Sequence, residues 1–186
     1  MKLVIRFFDI TFSVIGLVGG FPILLILTIV GYFDTGLPLF RQERVGRYQQ
    51  SFTLLKLRTM KIETESVASH LANASSITPF GRFLRRSKLD ELPQLWNVFR
   101  GEMSLVGPRP CLFSQQDLIR ERESRGVYEA RPGITGLAQI NHIDMSTPRL
   151  LAETDASMLE GLNLKNYFRY IVQTVLGKGA GDRVKD

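Results

Sequence analysis

Cysteine and histidine are scarce in this sequence, and their scarcity excludes several kinds of site. The 186 residues include one cysteine, Cys111, and two histidines, His70 and His142. One cysteine cannot form an internal disulfide, which fits a reducing compartment. No Cys/His spacing typical of zinc is present, and a Ser-His-Asp site would have to be assembled around one of two distant histidines. Any catalysis must therefore depend on carboxylates and basic side chains, and a metal, if used, would be a hard ion.

Charge is absent from residues 10–33, a run of 24 residues. About 20 apolar residues suffice to cross the hydrocarbon core of a bilayer, so the run is long enough to enter a membrane. Pro22 lies near its middle, where it removes a helical hydrogen bond and clashes with the carbonyl four residues before it. Gly16, Gly19 and Gly20 weaken the same stretch of helix. The sequence therefore predicts a membrane helix that is kinked near Pro22.

Basic residues flank this run on both sides. Lys2 and Arg6 precede it, and Arg41, Arg44 and Arg47 follow it. Because positive charge favours the cytoplasmic face, both ends are expected there, with the helix entering the membrane and bending out again. A single-pass anchor with a proline kink remains an open alternative at this point. A cleaved signal peptide fits less well, since the run is long and is followed by no small-x-small cleavage site.

The rest of the chain is about 150 residues long, enough for one domain, and it is basic. The chain has a net charge of +6, and Arg82, Arg85, Arg86 and Lys88 fall within seven positions that contain no acid. Such a cluster attracts anionic lipid headgroups, nucleic acid or phosphorylated small molecules. No nucleic-acid-binding motif is present. Next to a membrane segment, lipid phosphate and nucleotide substrates are therefore the favoured partners.

The patterns after residue 36 predict an α+β domain that is mostly helical. Two short strands, 37–45 and 52–60, are joined by a polar turn, and residues 61–77 are predicted as a loose helix or mobile loop. A basic amphipathic helix opens at Thr78-Pro79, and the next helix begins close to Asp90 and ends at Gly101. A short strand at 104–106, a loop at 131–136 and helices near 114–124, 148–161 and 165–176 complete the prediction.

Asp90 and Glu91 are the candidate catalytic pair. Two carboxylates at a helix N-terminus are stabilised as anions, and adjacent helical residues point about 100° apart, so one could attack while the other binds a metal or handles a proton. Simple helix capping is the alternative, and it is the usual role of an Asp at such a position. The basic cluster beside them, and Arg109 and Arg131 on proline-containing loops, favour phosphoryl transfer, which depends on positioning and charge neutralisation.

Four blocks of the sequence together resemble the bacterial sugar transferases, the monotopic polyprenyl-phosphate phosphoglycosyl transferases. The blocks are residues 56–60 (KLRTM), 89–98 (LDELPQLWNV), 103–110 (MSLVGPRP) and 131–136 (RPGITG). They follow the family's order behind a hydrophobic segment that contains Pro22, and their length resembles the family's minimal catalytic unit. Many members have serine before this proline where this chain has Phe21, so its bend would be stabilised otherwise, by the nearby glycines.

The resemblance implies a fold, a reaction and a set of site residues. It implies a monotopic protein with a re-entrant helix in residues 1–36, kinked at Pro22, and a membrane-associated domain in residues 37–186 with interfacial amphipathic helices and a small hairpin or sheet. It implies transfer of a phospho-sugar from a UDP-sugar to undecaprenyl phosphate, with release of UMP. Asp90 would be the nucleophile, Glu91 its partner, and both would hold Mg²⁺. Substrate binding is expected from Lys56, Arg58, Thr59, Arg85, Pro108, Arg109, Pro110 and Arg131.

The same resemblance implies a location and partners. The protein is expected on the cytoplasmic face of the bacterial inner membrane, with its N-terminus in the cytoplasm. Expected partners are the UDP-sugar, undecaprenyl phosphate, membrane lipid, a second copy of the chain and downstream glycosyl transferases, with no nucleic acid. Two other functions are open: a membrane-anchored module that binds anionic lipid without catalysis, and a glycosyl transferase that would release UDP.

Overall fold

The computed structural model describes residues 1–64 and 74–179. The predicted loose helix or loop of residues 61–77 lies mostly outside these ranges. In chain order the helices and strands are α1 (Lys2–Thr35), β1 (Leu39–Val45), β2 (Ser51–Leu57), α2 (Pro79–Ser87), α3 (Gln94–Arg100), β3 (Ser104–Val106), α4 (Gln116–Glu123), β4 (Gly133–Thr135), α5 (Leu137–Ile140), α6 (Pro148–Glu160) and α7 (Leu164–Val175). The α+β class and the mostly helical content are as predicted.

Helix α1 runs for 34 residues without interruption. Pro22 lies inside it and does not end it, and the kink at Pro22 stays a prediction. A proline removes one hydrogen bond, and the long apolar helix tolerates that loss. The helix ends at Gly36, whose left-handed conformation (φ 77°) directs its N–H to the carbonyl of Tyr32. By length and composition α1 could cross a membrane.

The N-terminal part of α1 is fixed to the rest of the protein by polar contacts. Arg6 donates to the carbonyls of Val98 and Phe99 at 2.8 and 3.0 Å. The carboxylate of Asp9, 2% exposed, accepts hydrogen bonds from the amide of Leu105 (2.9 Å) and the hydroxyl of Tyr167 (2.9 Å). These contacts reach α3, β3 and α7.

The C-terminal part of α1 packs against the same folded unit. Leu27 is buried in one cluster with Leu57 and Leu84. Thr78 donates a hydrogen bond of 2.6 Å to the carboxylate of Asp34. Helix α1 therefore contacts the domain near both of its ends.

The strands form two small sheets. The predicted hairpin is present, with β1 and β2 antiparallel and Leu39 opposite Leu57. Strand β3 is also as predicted, and it pairs in parallel with β4. Strand β4 lies where a loop was predicted, at residues 131–136. Three residues are too few to show an alternating pattern, and the pairing requires an approach so close that a Cβ on Gly133 would lie 2.0 Å from the amide nitrogen of Gly107.

The turn that carries the candidate acids differs from its prediction. Helix α2 begins as expected, with the Thr78 side chain accepting from the amide of Gly81. Helix α3 also ends as expected, at Gly101 (φ 85°), but it begins at Gln94 rather than near Asp90. Residues Leu89–Glu91 form a separate 3₁₀ turn. The helices predicted near 114–124, 148–161 and 165–176 are confirmed as α4, α6 and α7.

Candidate active site

Asp90 and Glu91 lie in the 3₁₀ turn between α2 and α3. Lys88, immediately before the turn, is in the left-handed conformation (φ 58°) and reverses the chain after α2. Asp90 is buried, with 4% of its surface exposed. The side chain of Glu91 is more open, at 13% exposed. The two carboxylates therefore have different surroundings although they are adjacent in the sequence.

Arg109 reaches Glu91 across the site. Strand β3 leads into the turn Gly107-Pro108-Arg109-Pro110, and the Nη2 atom of Arg109 lies 3.0 Å from Oε1 of Glu91. The two side chains are 25% and 13% exposed, so solvent screens this ion pair only partly. A guanidinium next to a carboxylate can contact a phosphate with its remaining N–H groups. The structure thus brings together two of the predicted site residues, Glu91 and Arg109.

A small cavity beside Arg109 is lined by three cationic side chains, those of Arg44, Lys56 and Arg109, together with the amide of Gln94. Lys56, 8% exposed, comes from β2, and Arg44, 6% exposed, comes from β1. The lining also includes Leu54, Pro110, Gly133 and Ile134. The three cationic residues and the amide suit contact with phosphate oxygens at the edge of this small cavity.

Arg44 and Gln94 were missed in the sequence. Arg44 was counted among the charges that flank the membrane run, and its place in the cavity follows from the pairing of β1 with β2. Gln94 could have been found, because it lies one turn after Asp90 on a helical stretch.

The other predicted binding residues occupy different places. Arg85 donates through Nε to the hydroxyl of Thr59 at 2.9 Å, which fixes the end of β2 to α2. Arg58 donates to the carbonyl of Leu37 at 2.8 Å and lies over the ring of Phe40, 5.3 Å from its centre. Pro108 and Pro110 enclose Arg109, and Pro110 also lines the cavity.

The side chain of Arg131 contacts the C-terminal end of α3. Its Nε atom donates to the carbonyl of Gly101 at 2.8 Å. Burial, with the nearby charges of Arg6 and Arg47, lowers the pKa of Arg131. The structure therefore does not bring its guanidinium to the Glu91–Arg109 pair, and its contact with a substrate phosphate stays a prediction.

Lys88 adds a cation on the other side of the turn. Its Nζ donates to the carbonyl of Lys178 at 2.9 Å. Burial lowers the pKa of Lys88, the charge of Glu91 raises it, and the charge of Arg109 lowers it further. Lys88, Glu91 and Arg109 therefore form one electrostatic group.

The chemistry of Asp90 and Glu91 fits a magnesium ion. Mg²⁺ is usually bound by one or two carboxylates together with substrate phosphates. Within the described ranges no three His, Cys, Asp or Glu side chains gather into a protein-only metal site. Two adjacent carboxylates, one of them paired with an arginine that lines the cavity, match the first arrangement rather than the second.

Comparison with known proteins gives the family. The sequence profile described as "Bacterial sugar transferase" matches residues 1–178. The chain is 42% identical over 137 residues to the "Uncharacterized sugar transferase EpsL" of Bacillus subtilis, covering 73% of this chain and 67% of that protein. It is 40% identical over 146 residues to the "UDP-glucose:undecaprenyl-phosphate glucose-1-phosphate transferase" of Caulobacter vibrioides, covering 72% of this chain and 55% of that protein. It is 36% identical over 163 residues to the "Undecaprenyl-phosphate galactose phosphotransferase" of Salmonella typhimurium, covering 76% of this chain and 34% of that protein.

Proposed function

This chain belongs to the bacterial sugar transferase family, and we propose that it transfers a phospho-sugar from a UDP-sugar to undecaprenyl phosphate and releases UMP. Relatives named as undecaprenyl-phosphate glucose-1-phosphate and galactose phosphotransferases support the substrate classes. The chain spans about a third to two thirds of the lengths of these relatives. The reaction would be a first membrane step in the synthesis of a bacterial glycan.

One observation carries the proposal: the Glu91–Arg109 ion pair lies beside buried Asp90 and borders the cavity of Arg44 and Lys56. A lipid-binding module has no need for a buried carboxylate next to an ion pair whose arginine lines a cavity with two other cationic residues. Phosphoryl transfer needs both, because a nucleophile must approach phosphorus while cations neutralise the oxygens around it.

In the proposed reaction, a carboxylate oxygen of Asp90 attacks the phosphorus that bears the sugar. The bond from that phosphorus to UMP breaks, UMP leaves, and the phospho-sugar remains on Asp90 as an acyl phosphate. An oxygen of undecaprenyl phosphate then attacks the same phosphorus, and the bond to Asp90 breaks, which restores the carboxylate. Splitting the transfer lets one small site use a soluble and a lipid substrate in turn.

The other side chains would position the diphosphate. Arg109 would hold the phosphate oxygens with its planar fork, while Lys56 and Arg44 would balance charge inside the cavity. Magnesium, when bound by Asp90 and Glu91, would neutralise charge on the phosphate oxygens. Because Asp90 is only 4% exposed, neighbouring side chains must shift when substrate binds.

We also propose that the protein is monotopic, on the cytoplasmic face of the bacterial inner membrane. A helix that spans a bilayer has its ends on opposite sides of a hydrocarbon core about 30 Å thick. Here Asp9, near one end of α1, and Asp34, near the other, both bond to the same domain. These contacts support a re-entrant helix, with both ends on the cytoplasmic side.

Product analysis tests the reaction. The purified protein is given Mg²⁺, undecaprenyl phosphate and each of a panel of UDP-sugars, and the released nucleotide is identified. Release of UMP with formation of a lipid diphosphate sugar is expected. Release of UDP would instead indicate a glycosyl transferase that moves the sugar alone, and release of neither would leave an anionic-lipid-binding module.

A further inference from the structure

A fully buried ion pair lies behind the candidate site. Arg122, from α4, is 1% exposed and Asp155, from α6, is 0% exposed. The Nε and Nη2 atoms of Arg122 donate to the same oxygen of Asp155 at 3.0 and 2.7 Å. The pair is far from solvent and takes no part in the proposed chemistry described so far.

Arg122 makes a further contact that connects this pair to the site. Its Nη1 atom donates to the backbone carbonyl of Arg109 at 2.8 Å. Asp155 thus orients a guanidinium whose remaining arm fixes the turn from which Arg109 reaches Glu91. The next carbonyl of the turn, that of Pro110, accepts from Arg44 at 3.1 Å.

The backbone of this turn has little freedom left once the Arg109 carbonyl is fixed. The rings of Pro108 and Pro110 fix their own φ angles, and Pro110 also confines Arg109 to extended conformations. The direction of the Arg109 carbonyl reports its ψ angle. A hydrogen bond to that carbonyl therefore sets the direction in which the Arg109 side chain leaves the turn.

Stability alone is a weak explanation for such a pair. Removing two charges from water is costly, and well-packed apolar residues of similar volume often replace a buried ion pair without loss of stability. Apolar residues cannot donate a hydrogen bond to the Arg109 carbonyl. We propose that Arg122, held by Asp155, is a positioning residue that aims the Arg109 guanidinium at Glu91 and at the substrate diphosphate; this rests on the proposed function.

A double-mutant cycle tests the proposal. The variant Arg122→Met/Asp155→Leu removes both charges and keeps most of the volume, so its thermal stability should fall only by the cost of the hydrogen bond that the Arg109 carbonyl loses. Its kcat/KM for UMP release should fall roughly tenfold or more. In an Arg109→Ala background the same pair of changes should lower kcat/KM by less than about twofold, because no side chain remains to be positioned.

A purely structural role predicts a different result. In that case the paired change lowers kcat/KM by the same factor with and without Arg109, and the proposal is overturned. If the apolar variant does not fold, Arg122→Lys enters the same cycle, since one ammonium group can pair with Asp155 but cannot reproduce the fork that also reaches the carbonyl.

Two controls separate this proposal from the proposed function. Arg149→Gln/Glu153→Gln removes an exposed ion pair of 2.9 Å from the same helix as Asp155 and should leave kcat/KM unchanged. Wild-type protein that releases UMP, combined with an additive cycle, rejects the positioning role and keeps the function. Wild-type protein that releases no UMP rejects both.

Discussion

Neighbouring carboxylates have different surroundings at this site, and the proposed function gives them different roles. Asp90 is buried, whereas Glu91 pairs with Arg109 at 3.0 Å. The proposed function assigns the attack on phosphorus to Asp90, and it assigns the orientation of Arg109 and a share of magnesium binding to Glu91.

Replacing Asp90 with Asn should abolish activity and leave the fold intact, because the amide keeps the size of the carboxylate but is not a nucleophile. UDP-sugar labelled in its sugar and given without lipid acceptor should tag the wild-type protein and leave the variant unlabelled. Asp117→Asn, on the exposed face of α4, is the matched control and should label normally. Substantial turnover by the Asp90 variant would mean that the nucleophile is another residue.

Arg109→Lys keeps the charge but loses the planar fork that can contact Glu91 and a phosphate together. We expect kcat/KM for UMP release to fall roughly tenfold or more, which corresponds to about 1.4 kcal/mol of transition-state stabilisation. Steady-state kinetics at saturating undecaprenyl phosphate measures this fall in kcat/KM. Near-normal kinetics would remove Arg109 from the binding site.

The lowered pKa of Lys88 predicts that activity depends on pH in the alkaline range. Burial lowers its pKa, so it loses its charge at a lower pH than an ordinary lysine. If that charge neutralises the substrate diphosphate, activity falls as pH rises through this lowered pKa. Lys88→Arg stays charged and should move the alkaline limb of the pH–rate profile to higher pH.

The exposed Lys165→Arg in α7 serves as the control for Lys88 and should leave the alkaline limb in place. Superimposable profiles for wild type and Lys88→Arg would show that the charge of Lys88 is not needed.

At the scale of helices and strands, the sequence predicts whatever local backbone chemistry determines. Thr78-Pro79, Gly101 and Thr147-Pro148 mark helix ends because caps and fixed φ angles act within a few residues. The 3₁₀ turn at Leu89–Glu91 was missed, since its hydrogen-bond pattern differs from the α-helical one by a single residue. Strand β4 was missed because its stability comes from a distant partner, β3.

The residues of the candidate site also divide into those that local sequence patterns identify and those that they do not. Arg109 could be selected from its two flanking prolines, and Asp90-Glu91 from their place between a basic helix and Pro93. The roles of Arg44 and Arg122 depend on which elements pack together, and no local pattern in the sequence records that. Arg131 resembles Arg109 in the sequence because a proline follows it, yet it contacts the opposite end of α3.

The hydrogen bond from Arg131 to the carbonyl of Gly101 predicts that Arg131 stabilises the C-terminal end of α3. The last carbonyls of a helix lack partners within the helix, and here Arg6 and Arg131 supply donors at the C-terminus of α3. Arg131→Lys should therefore destabilise the protein by about 1–2 kcal/mol through the loss of a charged hydrogen bond, with little effect on kcat/KM of the folded protein. Thermal unfolding and kinetics on the same sample measure the two effects.

Arg100→Lys is the matched control for Arg131, because Arg100 lies at the same helix end but its side chain is 59% exposed. It should leave thermal stability unchanged. A large fall in kcat/KM for Arg131→Lys at unchanged stability would support the substrate-phosphate role predicted from the sequence.

At the scale of the whole molecule, α1 combines an apolar surface with polar anchors to the domain. Phe7, Val18 and Phe33 are at least 65% exposed, as expected for side chains in contact with lipid. Asp9 and Asp34 are hydrogen-bonded to the domain near the two ends of the same helix. A helix with exposed apolar side chains along its length and domain contacts near both ends is difficult to reconcile with a simple span.

Accessibility of the two ends of α1 in intact cells tests this topology. Cys111 is buried and is first replaced by alanine, after which single cysteines are introduced at Lys2 and at the exposed Glu160 of α6. We expect a membrane-impermeant thiol reagent to label neither site in intact cells and both sites after permeabilisation, because the anchors at Asp9 and Asp34 hold both ends of α1 on the domain's side. Labelling at Lys2 alone in intact cells would place the N-terminus outside, and α1 would then be a spanning anchor whose contacts with the domain do not persist in the membrane.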